Sequence, residues 1–276
     1  MQAACDNVRM LGGRSPGFVL RQAAEPDNYR ALWRMASTAV HPVDFAVRYF
    51  SGAGSYPARC PLRTPAGVIA PTAFSSHDVI TMNEIFCRLD YRLPDGARTV
   101  VDIGSNVGIS ALYFLTRSPG VRCHLFEPDP RNVERLRENL ASYDGRYVLS
   151  ETAVADRAGR VPFGREPTGR YGGVDAGFGD QIEVDCVEIN DVLRSVLDLE
   201  GSIDMLKIDT EGLENRTVLA IQPDLLAQVA VICFETREPV NPAPELFDLH
   251  HATDTARLTR RPAAAVRALA HDTAAT

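Results

Sequence analysis

The sequence predicts an α/β fold, a mostly parallel sheet flanked by helices, preceded by a helical and irregular N-terminal extension. Three observations carry this. The β-branched run Thr99-Val100-Val101-Asp102-Ile103 ends in a glycine loop, Gly104-Ser105-Asn106-Val107-Gly108, and an amphipathic segment follows. That is a buried strand feeding a tight turn and then a helix. Strand-like and helix-like segments then alternate to about residue 234. An acid, Glu127, closes the second strand-like run nineteen residues after Gly108. Strands separated by helices imply a parallel sheet, and right-handed crossovers put every strand-end loop on one edge, where ligands bind.

Each element follows from local chemistry. Residues 1–77 lack the alternating rhythm and read as an extension: helical signal over Tyr29–Tyr49 interrupted by Pro42, an irregular glycine- and proline-rich stretch over Gly52–Pro65, and a short strand at Val68-Ile69-Ala70. Asp78–Leu89 has apolar residues at the spacing of one helix face. The repeating unit, residues 78–238, then runs strand 99–103, helix 107–116, strand 121–126, helix 130–141, strand 146–151. Asp129 suits the N-cap of its helix and Pro130 the first turn. A glycine-rich stretch to about 180 reads as irregular. Strand 181–187, helix 189–199 (with Asn190 as cap), strand 203–208, helix 213–221 and strand 229–234 complete the unit. Residues 239–276 lose the rhythm: Pro239, Pro242 and Pro244 break regular structure, and the alanine- and arginine-rich end reads as a surface helix or a tail.

Composition narrows the class of function. The chain has 276 residues, 45% of them hydrophobic, enough for one good core with extensions. No apolar run is long enough for a membrane span, and the N-terminus shows no secretory pattern, so a cytoplasmic location is expected. The net charge of −7 disfavours nucleic acid as a partner. Six cysteines at 5, 60, 87, 123, 186 and 233 form no Cys-x-x-Cys pair and read as reduced thiols, three of them in apolar strand-like runs. Of 29 basic residues Lys207 is the only lysine, against an arginine bias that reads as GC-rich coding.

The first loop selects the cofactor. A dinucleotide fingerprint needs Gly-x-Gly-x-x-Gly, but Asn106 and Ile109 stand where the second and third glycines belong. The actual pattern, Asp-x-Gly-x-Asn-x-Gly, places an acid at the strand end that would repel a pyrophosphate and accept an ammonium. A cofactor with both an ammonium and a ribose fits, namely S-adenosylmethionine. Gly104 and Gly108 would admit its amino-acid part, and Glu127 would hold the ribose hydroxyls. Against this stands a glycine turn with an acid nearby by chance, and a nicotinamide-dependent oxidoreductase, which the missing glycines oppose.

The segment Leu206-Lys207-Ile208-Asp209-Thr210-Glu211-Gly212-Leu213-Glu214 marks a second site. Alternation puts Lys207 and Asp209 on one strand face, and Asp209 and Glu211 fall at the strand's carboxyl edge. With Glu214 one helical turn further on and Glu235 at the end of the next strand, four carboxylates converge on one rim that could orient a substrate, take its proton or bind a divalent metal. Glu214 reads as an acid favoured by a helix N-terminus. No metal is expected, because no histidine or tight aspartate pair joins these carboxylates. Lys207, inside a predicted central strand, must be paired, and is expected to hold a rim carboxylate in place.

These three motifs, Val100–Gly108, Phe126-Glu127-Pro128 and Leu206–Glu214, resemble the FkbM family of S-adenosylmethionine-dependent methyltransferases over roughly residues 78–236. The resemblance implies a Rossmann-like class I methyltransferase fold. It implies that Asp102, Gly104, Asn106, Gly108 and Glu127 contact the cofactor, with Thr152 and Ala153 near its adenine. Catalytic candidates are Asp209, Glu211 and His77, the last before the helix expected to pack beside the cofactor. Glu235, and Tyr171 in the loop Gly169-Arg170-Tyr171-Gly172-Gly173, are candidates for substrate contact. The family's association with tailoring of sugars and polyketides implies O-methylation of a small secondary metabolite. The acidic rim keeps N-methylation of an amino sugar such as an aminoglycoside as a rival, and a noncatalytic nucleoside-binding protein is the alternative from another class. After Glu235 no strand pair is legible, although sheets of this class end in an antiparallel hairpin. The unfinished edge leaves a homodimer as one expected assembly.

Overall fold

The computed structural model describes residues 26–166, 172–174, 180–252 and 254–262. The chain divides into two compact units, Met1–Asp90 and Tyr91–Thr276. In the first unit α1 (Pro26–Thr38) and α2 (Pro42–Ser51) are separate helices, the second opened by Pro42 and closed by Gly52 in a left-handed conformation. Four short strands follow: β1 (Ala58–Arg59), β2 (Leu62–Thr64), β3 (Gly67–Ile69) and β4 (Thr72–Ala73), paired β1 with β4 and β2 with β3. The stretch expected to be irregular thus holds strands of two and three residues, too short to show a period. Helix α3 (Ser76–Met82) continues as wider π turns over Asn83–Arg88, where one plain helix was expected. The Asp78 carboxylate accepts from the backbone N–H of Phe74 (2.6 Å) and Ser75 (3.0 Å), closing the helix start.

The second unit is built on a seven-stranded sheet. Its strands are β5 (Thr99–Ile103), β6 (Arg122–Phe126), β7 (Tyr147–Ser150), β12 (Met205–Ile208), β13 (Val231–Glu235), β14 (Phe247–Ala252) and β15 (Thr255–Arg260), in the order β14-β15-β13-β12-β5-β6-β7. The five strands from β13 to β7 run parallel, and β15 is antiparallel to both of its neighbours. All five residues of β5 and all four of β12 are buried, as central parallel strands must be. Helix α4 (Ile109–Arg117) starts at Gly108 and α5 (Pro130–Leu140) follows β6, with Asp129 accepting from the Arg131 N–H at 3.0 Å as its N-cap. The connections from β5 lead outward through β6 to β7, and the chain then returns to β12 on β5's other side. The sheet therefore has a topological switch point between β5 and β12, and sheets of this kind bind ligands at the carboxyl edge of such a point.

Three expectations are corrected. The described residues between 152 and 188 are not irregular: β8 (Ala153–Ala155), β9 (Gly159–Arg165), β10 (Gly172–Val174) and β11 (Asp180–Glu188) form a second sheet in the order β10-β9-β11-β8. Its small core comprises Ala153, Ala155, Val161, Phe163, Val174, Val184 and Cys186. Short side chains and interspersed glycines hid the alternation, and Gly172 is needed because a methyl there would press on the Phe163 ring. Second, the β14–β15 hairpin closes the sheet where no strand pair was expected. In β14 only Phe247 is buried and in β15 only Ala256 and Leu258, so one face of a short edge ribbon gives almost no periodic signal. Third, helix α6 (Ile189–Glu200) has Glu188, not Asn190, at its N-cap position. The Asn190 side chain instead accepts from Gln222 N–H (2.8 Å) and donates to the Ala220 carbonyl (3.0 Å). It fastens α6 to the junction between α7 (Glu214–Ala220) and α8 (Pro223–Leu226).

Among the described residues no helix is long and apolar enough to cross a membrane. Five cysteines, 60, 87, 123, 186 and 233, are buried free thiols.

Candidate active site

Three loops at the carboxyl edge of β5, β6 and β12 build the site. The first leaves β5 at Gly104, whose φ of 75° and whose approach to the neighbouring loop exclude a side chain: a methyl there would run into the Asp209 carbonyl oxygen. Backbone N–H groups of Gly104 and Ser105 both donate to the Phe126 carbonyl at 3.0 Å, and Ser105 Oγ donates to the Asp102 carbonyl at 2.8 Å. Asn106 is left-handed (φ 48°), and its side-chain oxygen receives the Val107 N–H at 2.8 Å. Gly108 (φ 84°) starts α4, and a methyl there would crowd Leu136 of α5. The loop is thus a turn clamped at both ends.

Glu127, after β6, is buried and accepts two backbone N–H groups, Asn106 on Oε2 at 2.8 Å and Asp129 on Oε1 at 3.0 Å. Burial nevertheless dominates and pushes its carboxyl up to about 7. Asp129 itself is held by Arg131 (2.8 Å) and approached by Arg165 of β9 (3.8 Å), so the second sheet reaches the same loop. After β7, Thr152 has a buried Oγ1 without a hydrogen-bond partner among the described residues, and the neighbouring Ala153 is buried in β8.

Asp102 lies between Lys207 and Ser110. It is fully buried, with Oδ1 3.0 Å from Lys207 Nζ and Oδ2 accepting from Ser110 Oγ at 2.6 Å. Lys207 is 2% exposed. Its ammonium also lies 3.3 Å from Asp209 Oδ2, donates to the Gly104 carbonyl at 3.0 Å, and sits 5.2 Å from the Tyr91 ring centre. Burial pulls its pKa down, but the charges of Asp102 and Asp209 more than offset this and raise it above the ordinary lysine value. The expected pairing of Lys207 with a rim carboxylate is present. Ser110 was not singled out in the sequence: its only signal is that it faces β5 from the first turn of α4.

Asp209 is partly exposed, with 27% of its side chain accessible. Glu211 is exposed at φ 57°, an uncommon conformation for a residue with a side chain. Glu214 leaves the rim: it is buried and folds back to accept from Thr210 N–H (2.8 Å) and Gly212 N–H (3.0 Å), pinning the loop that carries Asp209 and Glu211. Glu235 is exposed at the end of β13, next to β12. His77 lies in the first unit, at the start of α3. Tyr171 falls outside the described residues. Among the described residues no group of three or more histidine, cysteine or acidic side chains is arranged to hold a metal.

The strand order closed by an antiparallel hairpin, together with a glycine loop backed by an acid on the adjacent strand, defines a class I methyltransferase fold. A family model described as the methyltransferase FkbM domain matches residues 102–250, more than half of the chain, and the chain belongs to that methyltransferase family. It is 27% identical over 199 residues to the 31-O-demethyl-FK506 methyltransferase FkbM of Streptomyces tacrolimicus, covering 58% of this chain and 75% of that protein. Over 64 residues it is 45% identical to the 2-O-methyltransferase NoeI of Sinorhizobium fredii, an alignment spanning 23% of this chain and 26% of that protein. A crystal structure of a methyltransferase from Geobacter sulfurreducens shares 14% identity, with 66% of this chain and 78% of that chain covered and a TM-score of 0.36, a likeness too loose to argue from.

Proposed function

We propose that the protein methylates a hydroxyl group of a small secondary metabolite, a sugar or polyketide, with S-adenosylmethionine as donor. The observation that supports this most is the Gly104–Gly108 turn backed by Glu127. The Glu127 carboxylate already gathers the Asn106 and Asp129 N–H groups and the Asn132 side chain, and keeps capacity to accept a ribose hydroxyl. The unpartnered Thr152 hydroxyl offers a hydrogen bond on the side where an adenine would lie. The residues therefore fit the cofactor proposed for them. Its sulfonium supplies an activated methyl group, so the chain's task is alignment, exclusion of water and proton removal.

Glu127 would hold the ribose, and Gly104 and Gly108 would keep the turn tight against it. Asp209 and Glu211 lie at the carboxyl edge of β12, beside the switch point. Either carboxylate would accept the hydrogen bond of the incoming hydroxyl and take its proton. Glu235 is a candidate for orienting the acceptor. The resemblance to NoeI, a 2-O-methyltransferase, and to a 31-O-demethyl-FK506 methyltransferase supports oxygen over nitrogen as the acceptor atom. The exposed acids Glu211 and Glu235 favour the second reading, an amino sugar.

Activity toward hydroxylated and aminated versions of one sugar separates the two. Methylation of the hydroxylated sugar supports the proposal, and turnover of the amine only contradicts it.

A further inference from the structure

A lysine ammonium has three N–H donors, and in this fold they face four oxygens. Lys207 Nζ lies 3.0 Å from Asp102 Oδ1, 3.0 Å from the Gly104 carbonyl, 3.4 Å from the Ile103 carbonyl and 3.3 Å from Asp209 Oδ2. Two of these groups belong to β5, one to the loop that leaves it, and one to the loop that leaves β12. The same two loops touch through their backbones: Asp209 N–H donates to the Ile103 carbonyl at 3.1 Å, and the Asp209 carbonyl fills the space a side chain at Gly104 would need. Ser110 Oγ, on the first turn of α4, holds the far side of Asp102.

We propose that Lys207 is a positioning residue that fastens the β5 and β12 loops together and so shapes the half of the donor site that receives the amino-acid end of S-adenosylmethionine. The topology assigns the halves. Glu127 follows β6, on one side of β5, and the Lys207 cage joins β5 to β12 on the other. A donor whose ribose is held by Glu127 and which crosses the switch point brings its amino-acid end over the cage. Lys207 also occupies Asp102 Oδ1 and the Gly104 carbonyl, so Asp102 acts through the lysine rather than on the donor. A guanidinium is a wider planar group and does not fit among oxygens fixed by backbone contacts.

This rests on the proposed donor, and the test separates the two. S-adenosylhomocysteine and 5′-methylthioadenosine share the adenosine part, but only the first carries the amino-acid end. Calorimetry measures both against the wild type, Asp102→Asn, and the double variant Asp102→Asn/Lys207→Met, which removes both buried charges together. The double variant is expected to bind S-adenosylhomocysteine at least tenfold more weakly and methylthioadenosine within threefold of wild type. Asp102→Asn, which leaves Lys207 its other three oxygens, is expected to fall between wild type and the double variant for S-adenosylhomocysteine and to keep methylthioadenosine within threefold. A folded double variant that binds S-adenosylhomocysteine like wild type, or loses both ligands equally, overturns the inference. Where the double variant does not fold, Lys207→Arg replaces it with the same expected selective loss, and failure of both to fold makes Lys207 merely structural and overturns the inference too. A wild type that binds neither ligand overturns the proposed donor, and the inference with it.

Discussion

A carboxylate buried as deeply as Glu127 is costly to ionise, and the two backbone donors on it recover only part of that cost, which is why its pKa rises to about 7. The sign of the consequence follows. Because the folded pKa lies above the unfolded one, the folded state binds more protons between about 4.5 and about 7, and stability from this group falls as pH rises through that window. Ribose hydroxyls donate to the ionised form, so affinity for S-adenosylhomocysteine should rise from pH 6 to pH 8 and then level off. Calorimetry across pH checks this, and Glu127→Gln should remove the dependence and weaken binding by roughly 10–100-fold, the worth of a hydrogen bond to a charged group. Gly104→Ala combines a strained φ with a collision against the Asp209 carbonyl, so a loss above about 2 kcal/mol is expected in denaturant titration. At this scale the sequence was readable where chemistry and spacing coincide, as in the glycine turn at Gly104 and the pairing of Lys207 with a rim carboxylate. What a linear motif does not show is that a lysine 105 residues later lies 3.0 Å from the Asp102 carboxylate.

At the scale of elements, the parallel strands were legible because burial on both faces leaves continuous apolar runs, as in Val100-Val101 and Met205-Leu206. The β14–β15 hairpin was not, because its outer face is solvated and only three of its residues are buried. Those few residues should matter out of proportion. Phe247 is 1% exposed and packs in the main core, and Phe247→Ala is predicted to cost about 3–5 kcal/mol. Leu249, on the same strand but 40% exposed, should cost no more than about 0.5 kcal/mol on the same change. Equal losses in denaturant titration would mean that the hairpin does not close the sheet as described. The loop after β12 illustrates the same division: an acidic rim was legible as a cluster, but only the fold shows Glu214 turned inward as a brace while Asp209 and Glu211 stay at the edge.

At the scale of the molecule, the order β13-β12-β5-β6-β7 puts the Gly104–Gly108 turn, Glu127 and the rim carboxylates on one edge, around one switch point. A ligand bound there only in the native state must stabilise the fold, by about 2.7 kcal/mol at a free concentration one hundred times its dissociation constant. Thermal unfolding with S-adenosylhomocysteine should show that upward shift, and NAD should leave the curve in place. The central claim is that the Gly104–Gly108 turn and Glu127 hold a donor with an adenosine and an amino-acid end. Titration calorimetry of the wild-type chain tests it most directly. The expected result is one S-adenosylhomocysteine bound per chain, with binding lost or severely weakened in Glu127→Gln and no binding of NAD. Saturable binding of NAD, or no binding of S-adenosylhomocysteine by folded protein, would contradict it.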